Sequence, residues 1–245
     1  MGDLRLDCFI PAYNEAADLE ANVLRLLAFC RERLGSGFRV TVVDNGSTDR
    51  TGAVADALAL AHAEVAALHF PEKGRGRALR RAFLASEARW LGYMDADLST
   101  HLRAVPEALS RLEGGADLVI GSRLMPASRT TRRLHRQVLS RTYNALVRRS
   151  FASRITDHQC GFKFLTRDAC RALVPATEDD LWFFDTELLV LAQRAGRRVE
   201  EIPVDWIEDL GSSVRIARTI VDDLRGMRRL RSRLAGHSDP QAPGR

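Results

Sequence analysis

The sequence predicts an α/β fold, a mainly parallel β-sheet flanked by helices on both faces. Three observations carry that prediction. Strand-like and helix-like patterns alternate five times across the first 121 residues. The strand candidates, such as FRVTVV (38–43) and WLGYM (90–94), are short apolar runs of the kind buried on both sides. Polar residues gather just after those runs, where open α/β sheets bind their ligands.

Each element follows from local signals. LRLDCFI (4–10) reads as the first strand, and PAYNEAAD (11–18) as a turn ending on Asp18, an N-cap residue type. Leu19, Val23, Leu26, Leu27 and Cys30 keep helical spacing through 19–33, and Gly35 and Gly37 stop that helix. Residues 38–43 are the second strand. DNGSTDRTG (44–52) is a turn, with Ser47 or Asp49 capping a helix over about 50–62. Residues 64–70 form the third strand. PEKGRGRALRRAFLASE (71–87) is a loop opening into a helix, 90–94 the fourth strand, 103–112 a helix and 117–120 the fifth strand.

The second half is less regular. Residues 132–151 are basic and amphipathic, with Leu134, Val138, Leu139, Leu146 and Val147 among arginines. Residues 161–165 read as a strand, 185–194 as a helix, 199–206 as extended and 214–234 as a long basic helix. No repeat or linker divides the chain. One domain over residues 1–235 is expected, with a disordered tail over 236–245.

At 245 residues, 45% hydrophobic and 28% charged, the chain can bury a substantial core. No apolar run approaches the roughly 20 residues of a membrane-spanning helix. The N-terminus, MGDLRLDCFIPAYNE, does not read as a signal peptide, so a cytoplasmic location is expected. Cys8, Cys30, Cys160 and Cys170 lack zinc-ligand spacing and are expected to be reduced and buried.

The formal charge of +5 is uneven. Nine arginines and no acid lie between Asp117 and Asp157, and 215–233 holds seven arginines against Asp222 and Asp223. Such asymmetry suits nucleic acid, a phosphorylated substrate or an anionic membrane surface. The aromatic residues argue against nucleic acid, because they form no stacking array. Trp182, Phe183 and Phe184 make a single run, expected at the lip of a site or in the core. The histidines form no metal-binding pair, and His62, His69 and His135 are expected to be structural or exposed.

WLGYMDADLST (90–100) is apolar until it delivers Asp95 and Asp97. Carboxylates are costly to desolvate unless paired with a cation. Either these two reach solvent in an ordinary turn, or they hold something positive. Tyr13, Asn14 and Glu15 follow the first strand, Asp44, Asn45 and Ser47 the second, and Lys73 the third. That convergence favours a site.

PAYNE (11–15), DNGSTD (44–49), DAD (95–97), GSR (121–123), DHQCGFK (157–163) and WFFDTELL (182–189) occur in this order. Together they resemble the inverting GT-A glycosyltransferases of family 2. With IPVDWIEDLGSSV (202–214), they are similar to the dolichyl- or polyprenyl-phosphate hexose synthases. The resemblance covers about residues 6–230. It implies a GT-A fold and β-linked transfer of a hexose from UDP-glucose or GDP-mannose to polyprenyl phosphate. The alternative acceptor is a soluble or glycan hydroxyl.

The resemblance also assigns residues. Pro11, Tyr13, Glu15, Asp44, Lys73 and Asp95 match nucleotide-sugar positions. Asp97, with Asp95, would hold Mg2+ or Mn2+, hard cations suited to oxygen ligands. Ser99 stands where related mannose synthases carry a metal-contacting Gln. An ionised lipid phosphate needs cations more than a base. Arg123 is the expected acceptor-phosphate group, with Lys163, Arg133 and Arg215 as helpers. Asp157 is expected to organise the site around Lys163, and Asp185 is either a site acid or a helix cap. For a hydroxyl acceptor, Asp157 and Asp185 are the candidate bases, with Glu187 weaker. Residues 129–154 fit a peripheral helix pair on the inner face of an anionic membrane, competing with a solvated basic face packed on the sheet.

Overall fold

The computed structural model describes residues 4–131, 133–207 and 216–236. The expected tail beyond Gly236, most of the 207–214 motif segment and Arg215 lie outside the described residues.

Seven strands form the main sheet: β1 (Leu6–Ala12), β2 (Phe38–Asn45), β3 (Val65–Phe70), β4 (Trp90–Met94), β5 (Leu118–Ser122), β7 (Phe162–Thr166) and β8 (Val199–Pro203), in the order β3-β2-β1-β4-β7-β5-β8. A small parallel pair, β6 (Arg129–Thr131) and β9 (Asp205–Ile207), stands apart. The helices are α1 (Leu19–Leu34), α2 (Thr51–Ala61), α3 (Arg75–Ala85), α4 (Ala104–Glu113), α5 (Leu134–Phe151), α6 (Arg167–Leu173), α7 (Phe184–Arg194) and α8 (Ile216–Gly236).

Side chains alternate across the sheet, as the period of two requires. Leu6, Cys8, Ile10, Trp90 and Met94 pack with α1, α2 and α4. Phe9, Leu91 and Tyr93 pack on the other face with α3, α6 and α7. Outside this second layer, α5 and α8 join α7 through Val147, Phe151, Phe183, Val190, Met227 and Leu230. All four cysteines are free and buried.

Several local expectations change. The first strand runs on through Pro11 to Ala12. Pro11 lacks an N–H, but β1 pairs with β4 only from Leu6 to Phe9, so the missing donor falls where one flank is no longer paired. Asp18 makes no side-chain cap on α1. Asp49, not Ser47, closes the turn into α2: its Oδ1 accepts from the Thr51 N–H at 2.9 Å. The short helix α6 had no strong sequence period; the Thr166 side chain caps it by accepting from Ala169 N–H.

The largest departure is β7. It runs antiparallel to both neighbours, pairing Met94 with Phe162 and Trp90 with Thr166. Its amino end therefore lies beside the carboxyl end of β4. That reversal brings the 157–161 segment to the residues that follow β4.

Candidate active site

The ends of β1, β2 and β3 are stitched together by polar side chains. Asn14, in the left-handed region at φ 56°, accepts at Oδ1 from Thr48 N–H at 2.8 Å, and its own N–H donates to Ser47 Oγ at 3.0 Å. Asn45 donates from Nδ2 to Ala12 O at 3.2 Å and accepts at Oδ1 from Gly74 N–H at 2.9 Å. Gly46, at φ 77°, lets the second turn touch the third: a Cβ there would sit 2.9 Å from Lys73 N. Lys73 Nζ lies 3.4 Å from the Tyr13 ring centroid.

Asp44 ends this first group. Its Oδ1 accepts from Ser47 N–H at 3.0 Å, and its Oδ2 lies 3.3 Å from His69 Nδ1. His69 Nε2 lies 2.9 Å from Asp56 Oδ1. Burial opposes protonation of His69, but Asp56 and Asp44 outweigh it and raise its pKa. Glu15 is half-buried beside α2, its N–H donating to Thr51 Oγ1 at 2.9 Å. Pro11 is buried within β1.

A second group forms where β4 ends. Arg75, at the first position of α3, is buried and joins two acids. Its Nη1 donates to Asp185 Oδ2 at 2.6 Å and its Nη2 to Asp95 Oδ1 at 3.0 Å. Its guanidinium lies 5.1 Å from the Tyr93 ring centroid and 4.9 Å from that of Trp182. Burial opposes the Arg75 charge, yet Asp185 and Asp95 reverse that and raise its pKa. Lys163 enters from β7, 1% exposed; its Nζ donates to Cys160 O at 2.6 Å and lies 3.2 Å from Asp185 Oδ1. Burial lowers its pKa to about 7.

The two carboxylates of the DAD motif are half-buried. Asp95 is clamped against the 157–161 segment: its N–H donates to Gly161 O at 3.1 Å, and a Cβ on Gly161 would fall 1.8 Å from Asp95 Oδ2. Asp97 is aimed by Ser99, whose N–H donates to Oδ1 at 2.9 Å and whose Oγ donates to Oδ2 at 2.6 Å. Ser99 thus orients Asp97. The loop is pinned by β9 through Ile207 N–H to Ser99 O at 3.0 Å.

Arg123 and Asp157 form the third group. Nε donates to Asp157 Oδ2 at 2.7 Å, Nη2 to Oδ1 at 2.9 Å, and the Arg123 backbone N–H to Oδ2 at 3.1 Å. Burial would raise the Asp157 carboxyl, but Arg123 overrides it and holds the pKa at about 2. Trp206 lies beneath the guanidinium, 5.4 Å from ring centroid to Cζ.

These contacts correct several expectations. Asp157 binds Arg123 directly, whereas the direct partners of Lys163 are Cys160 O and Asp185. Asp185 is no cap: it lies in the first turn of α7, buried between two cations. Glu187 is fully buried, accepts from Glu178 and Asp179 N–H and pairs with Arg233, so it anchors the loop before α7. Trp182 is half-exposed beside Arg75, while Phe183 and Phe184 are core. Arg133 stands exposed before α5. Residues 134–151 form one helix, α5, which packs on α7 and α8 and not directly on the sheet, while Arg133, Arg141, Arg148 and Arg149 stay exposed.

Arg75 is the residue that sequence reading missed. It lies in EKGRGRA, two positions beyond Lys73, among five arginines between 75 and 89 that look alike in sequence. Its two-residue offset from a position already under suspicion was the available signal.

Comparison with known proteins gives a consistent result. The family model for glycosyl transferase family 2 matches residues 7–174. Glycosyltransferase AglD of Haloferax volcanii is 43% identical over 216 residues, covering 86% of this chain and 34% of that protein. The chain thus spans about a third of that relative's length. The dolichyl-phosphate beta-glucosyltransferase of Saccharomyces cerevisiae is 30% identical, covering 88% of this chain and 70% of the yeast protein. Among solved structures, glucosyl-3-phosphoglycerate synthase from Mycobacterium tuberculosis, in complex with Mn2+, UDP-glucose and phosphoglyceric acid, superposes with a TM-score of 0.69 at 18% identity, covering 93% of this chain and 80% of that one. That likeness is one of fold.

Proposed function

This chain belongs to glycosyl transferase family 2, and we propose that it transfers a hexose from UDP-glucose or GDP-mannose to polyprenyl phosphate with inversion. The observation that carries this reading is the Asp95–Arg75–Asp185–Lys163 group, set beside Asp97 and Arg123–Asp157 at the carboxyl end of β4. The yeast relative, named for dolichyl-phosphate glucosylation, supports the acceptor class.

The first group is the nucleotide end. Asp44, held by Ser47 and His69, accepts from a base N–H. Glu15 accepts from a ribose hydroxyl, and Lys73, over Tyr13, lies toward the diphosphate. A phosphate oxygen of the acceptor attacks the anomeric carbon, and the bond from that carbon to the nucleoside diphosphate breaks. The acceptor is already ionised, so no side chain need take its proton. Arg123 and Lys163 supply positive field as two anions meet. Asp157 and Asp185 hold those cations in place.

A divalent cation fits these residues. Among the described residues, no group of three or more His, Cys, Asp or Glu forms a metal cage. Mg2+ and Mn2+ are commonly bound by one or two carboxylates together with substrate phosphates. Asp97, oriented by Ser99, and Asp95 would provide them. Such an ion neutralises charge developing on the departing diphosphate.

A lipid acceptor requires contact with a bilayer. No described helix is long and apolar enough to cross one. Helix α5 instead exposes Leu134, Val138 and Leu146 near Arg133, Arg141, Arg148 and Arg149, and α8 exposes Ile220, Val221 and Leu224. Apolar side chains beside arginines suit the surface of an anionic membrane, with the protein attached peripherally on the cytoplasmic face.

The test is transfer of label from radiolabelled UDP-glucose and GDP-mannose into extractable polyprenyl phosphate, with Mg2+ or Mn2+, beside Asp97→Ala. Metal-dependent label in the lipid phase, lost in the variant, is expected. Transfer to a water-soluble hydroxyl instead would overturn the acceptor assignment. No use of either donor by the folded protein would overturn the whole reading.

A further inference from the structure

Five consecutive residues, 157–161, each reach a different part of the molecule. Asp157 holds Arg123. His158 is held by α5: Asn144 Oδ1 accepts the His158 N–H at 2.8 Å and lies 2.8 Å from His158 Nδ1. Gln159 is held by α8, its Nε2 donating to Asp223 Oδ2 at 2.8 Å. Cys160 O accepts from Lys163 Nζ, and Gly161 O from Asp95 N–H.

The two outer contacts are built as fixed points. Asn144 is 1% exposed, and its Nδ2 donates to Ser140 O within α5 at 3.0 Å. Asp223 is 3% exposed. His158 is fully buried, with Nε2 2.8 Å from Ser153 Oγ. A segment with no regular secondary structure has no ladder of its own to set its position. Here Glu201 of β8 sets the amino end, accepting from Thr156 and Asp157 N–H, and the side chains of α5 and α8 set the two positions between Asp157 and Cys160.

We infer that Asn144 and Asp223 are positioning residues for transfer: through His158 and Gln159 they fix the part of the segment that holds Arg123 and Lys163 in a common register. Neither touches the nucleotide end built on Asp44, Tyr13 and Lys73. Their loss therefore acts on turnover and leaves donor affinity in place. The inference rests on the transferase reading.

The experiment compares wild type with Asn144→Ala, Asp223→Ala and Asp223→Asn. Asn at 223 keeps an oxygen that accepts from Gln159, so it is the conservative rescue. Transfer to polyprenyl phosphate is measured at saturating donor and acceptor, with KM for the donor, UDP and GDP affinity by calorimetry, and unfolding midpoints. For the two Ala variants, kcat falls about 10–100-fold, the effect expected of misplacement near 1 Å. The donor KM and UDP or GDP affinity stay within about twofold, and Asp223→Asn keeps kcat within about threefold, too small a change to be misplacement.

Three results overturn the inference: wild-type kcat in folded Asp223→Ala, an equal loss in Asp223→Asn, or a loss of kcat matched by loss of nucleotide affinity. If wild type does not use polyprenyl phosphate, the acceptor reading fails by itself. The same kcat comparison on metal-dependent donor hydrolysis then decides the positioning roles. A wild type that consumes no donor overturns both.

Discussion

Asp223→Asn should make this protein more stable than the wild type, by much more at pH 8 than at pH 5. Asp223 is 3% exposed and takes one hydrogen bond from Gln159. Burial, only partly offset by that bond, raises its pKa from 3.8 to about 7, and Asp179, Asp185 and Asp222 push the same way. The folded state therefore binds this proton more tightly than the unfolded chain. The carboxyl costs little while protonated, and stability falls as pH rises from about 4 through about 7. A displacement of about three pH units at about 1.36 kcal/mol each bounds the cost near 4 kcal/mol above pH 7. Replacement by Asn removes the titration and keeps an acceptor for Gln159. The assay is urea unfolding of both proteins at pH 5, 6, 7 and 8, read as the difference in unfolding free energy. That difference should grow by about 2–4 kcal/mol across the series. A constant or shrinking difference would refute burial as the dominant influence on Asp223.

Three other perturbations have defined outcomes. Gly161→Ala puts a Cβ 1.8 Å from Asp95 Oδ2; the half-exposed carboxylate swings away, so unfolding free energy drops about 1–3 kcal/mol while transfer drops about 100-fold. Arg123→Ala strands fully buried Asp157 and should cost about 3–5 kcal/mol in chemical denaturation; a loss below about 1 kcal/mol would make the pair no better than a surface ion pair. Asp97→Asn keeps the bond from Ser99 N–H but removes a charge; it should raise the half-maximal Mn2+ concentration for transfer at least about tenfold, equal to about 1.4 kcal/mol, with little change in the unfolding midpoint.

Much of the site was legible because strand ends are legible. Once WLGYM is read as a buried strand, Asp95 and Asp97 must stand at its end, and the same holds for Asp44 after β2. The shift in Pro11 is a boundary effect: proline reads as a strand stop, but here its missing donor falls past the last β4 partner. Arg75 escaped because nothing local separates it from Arg77, Arg80 or Arg81. Its role exists only where Asp95 and Asp185 converge on it, and the latter is 110 residues away in sequence.

The sequence by itself determined the alternation of elements, the half of the sheet formed by β1 to β4, the carboxylates at the strand ends and the ordered motifs that mark family 2. Those features depend on hydrophobic period and on residue type within a few positions, which a single chain displays directly. Tertiary structure alone decided that β7 runs antiparallel between β4 and β5, that Asp157 closes on Arg123 while Asp185 receives Arg75 and Lys163, and that Asn144 and Asp223 reach the segment between them. A buried charge is tolerable only beside its counter-charge, and which counter-charge is nearest is settled by packing across distant elements.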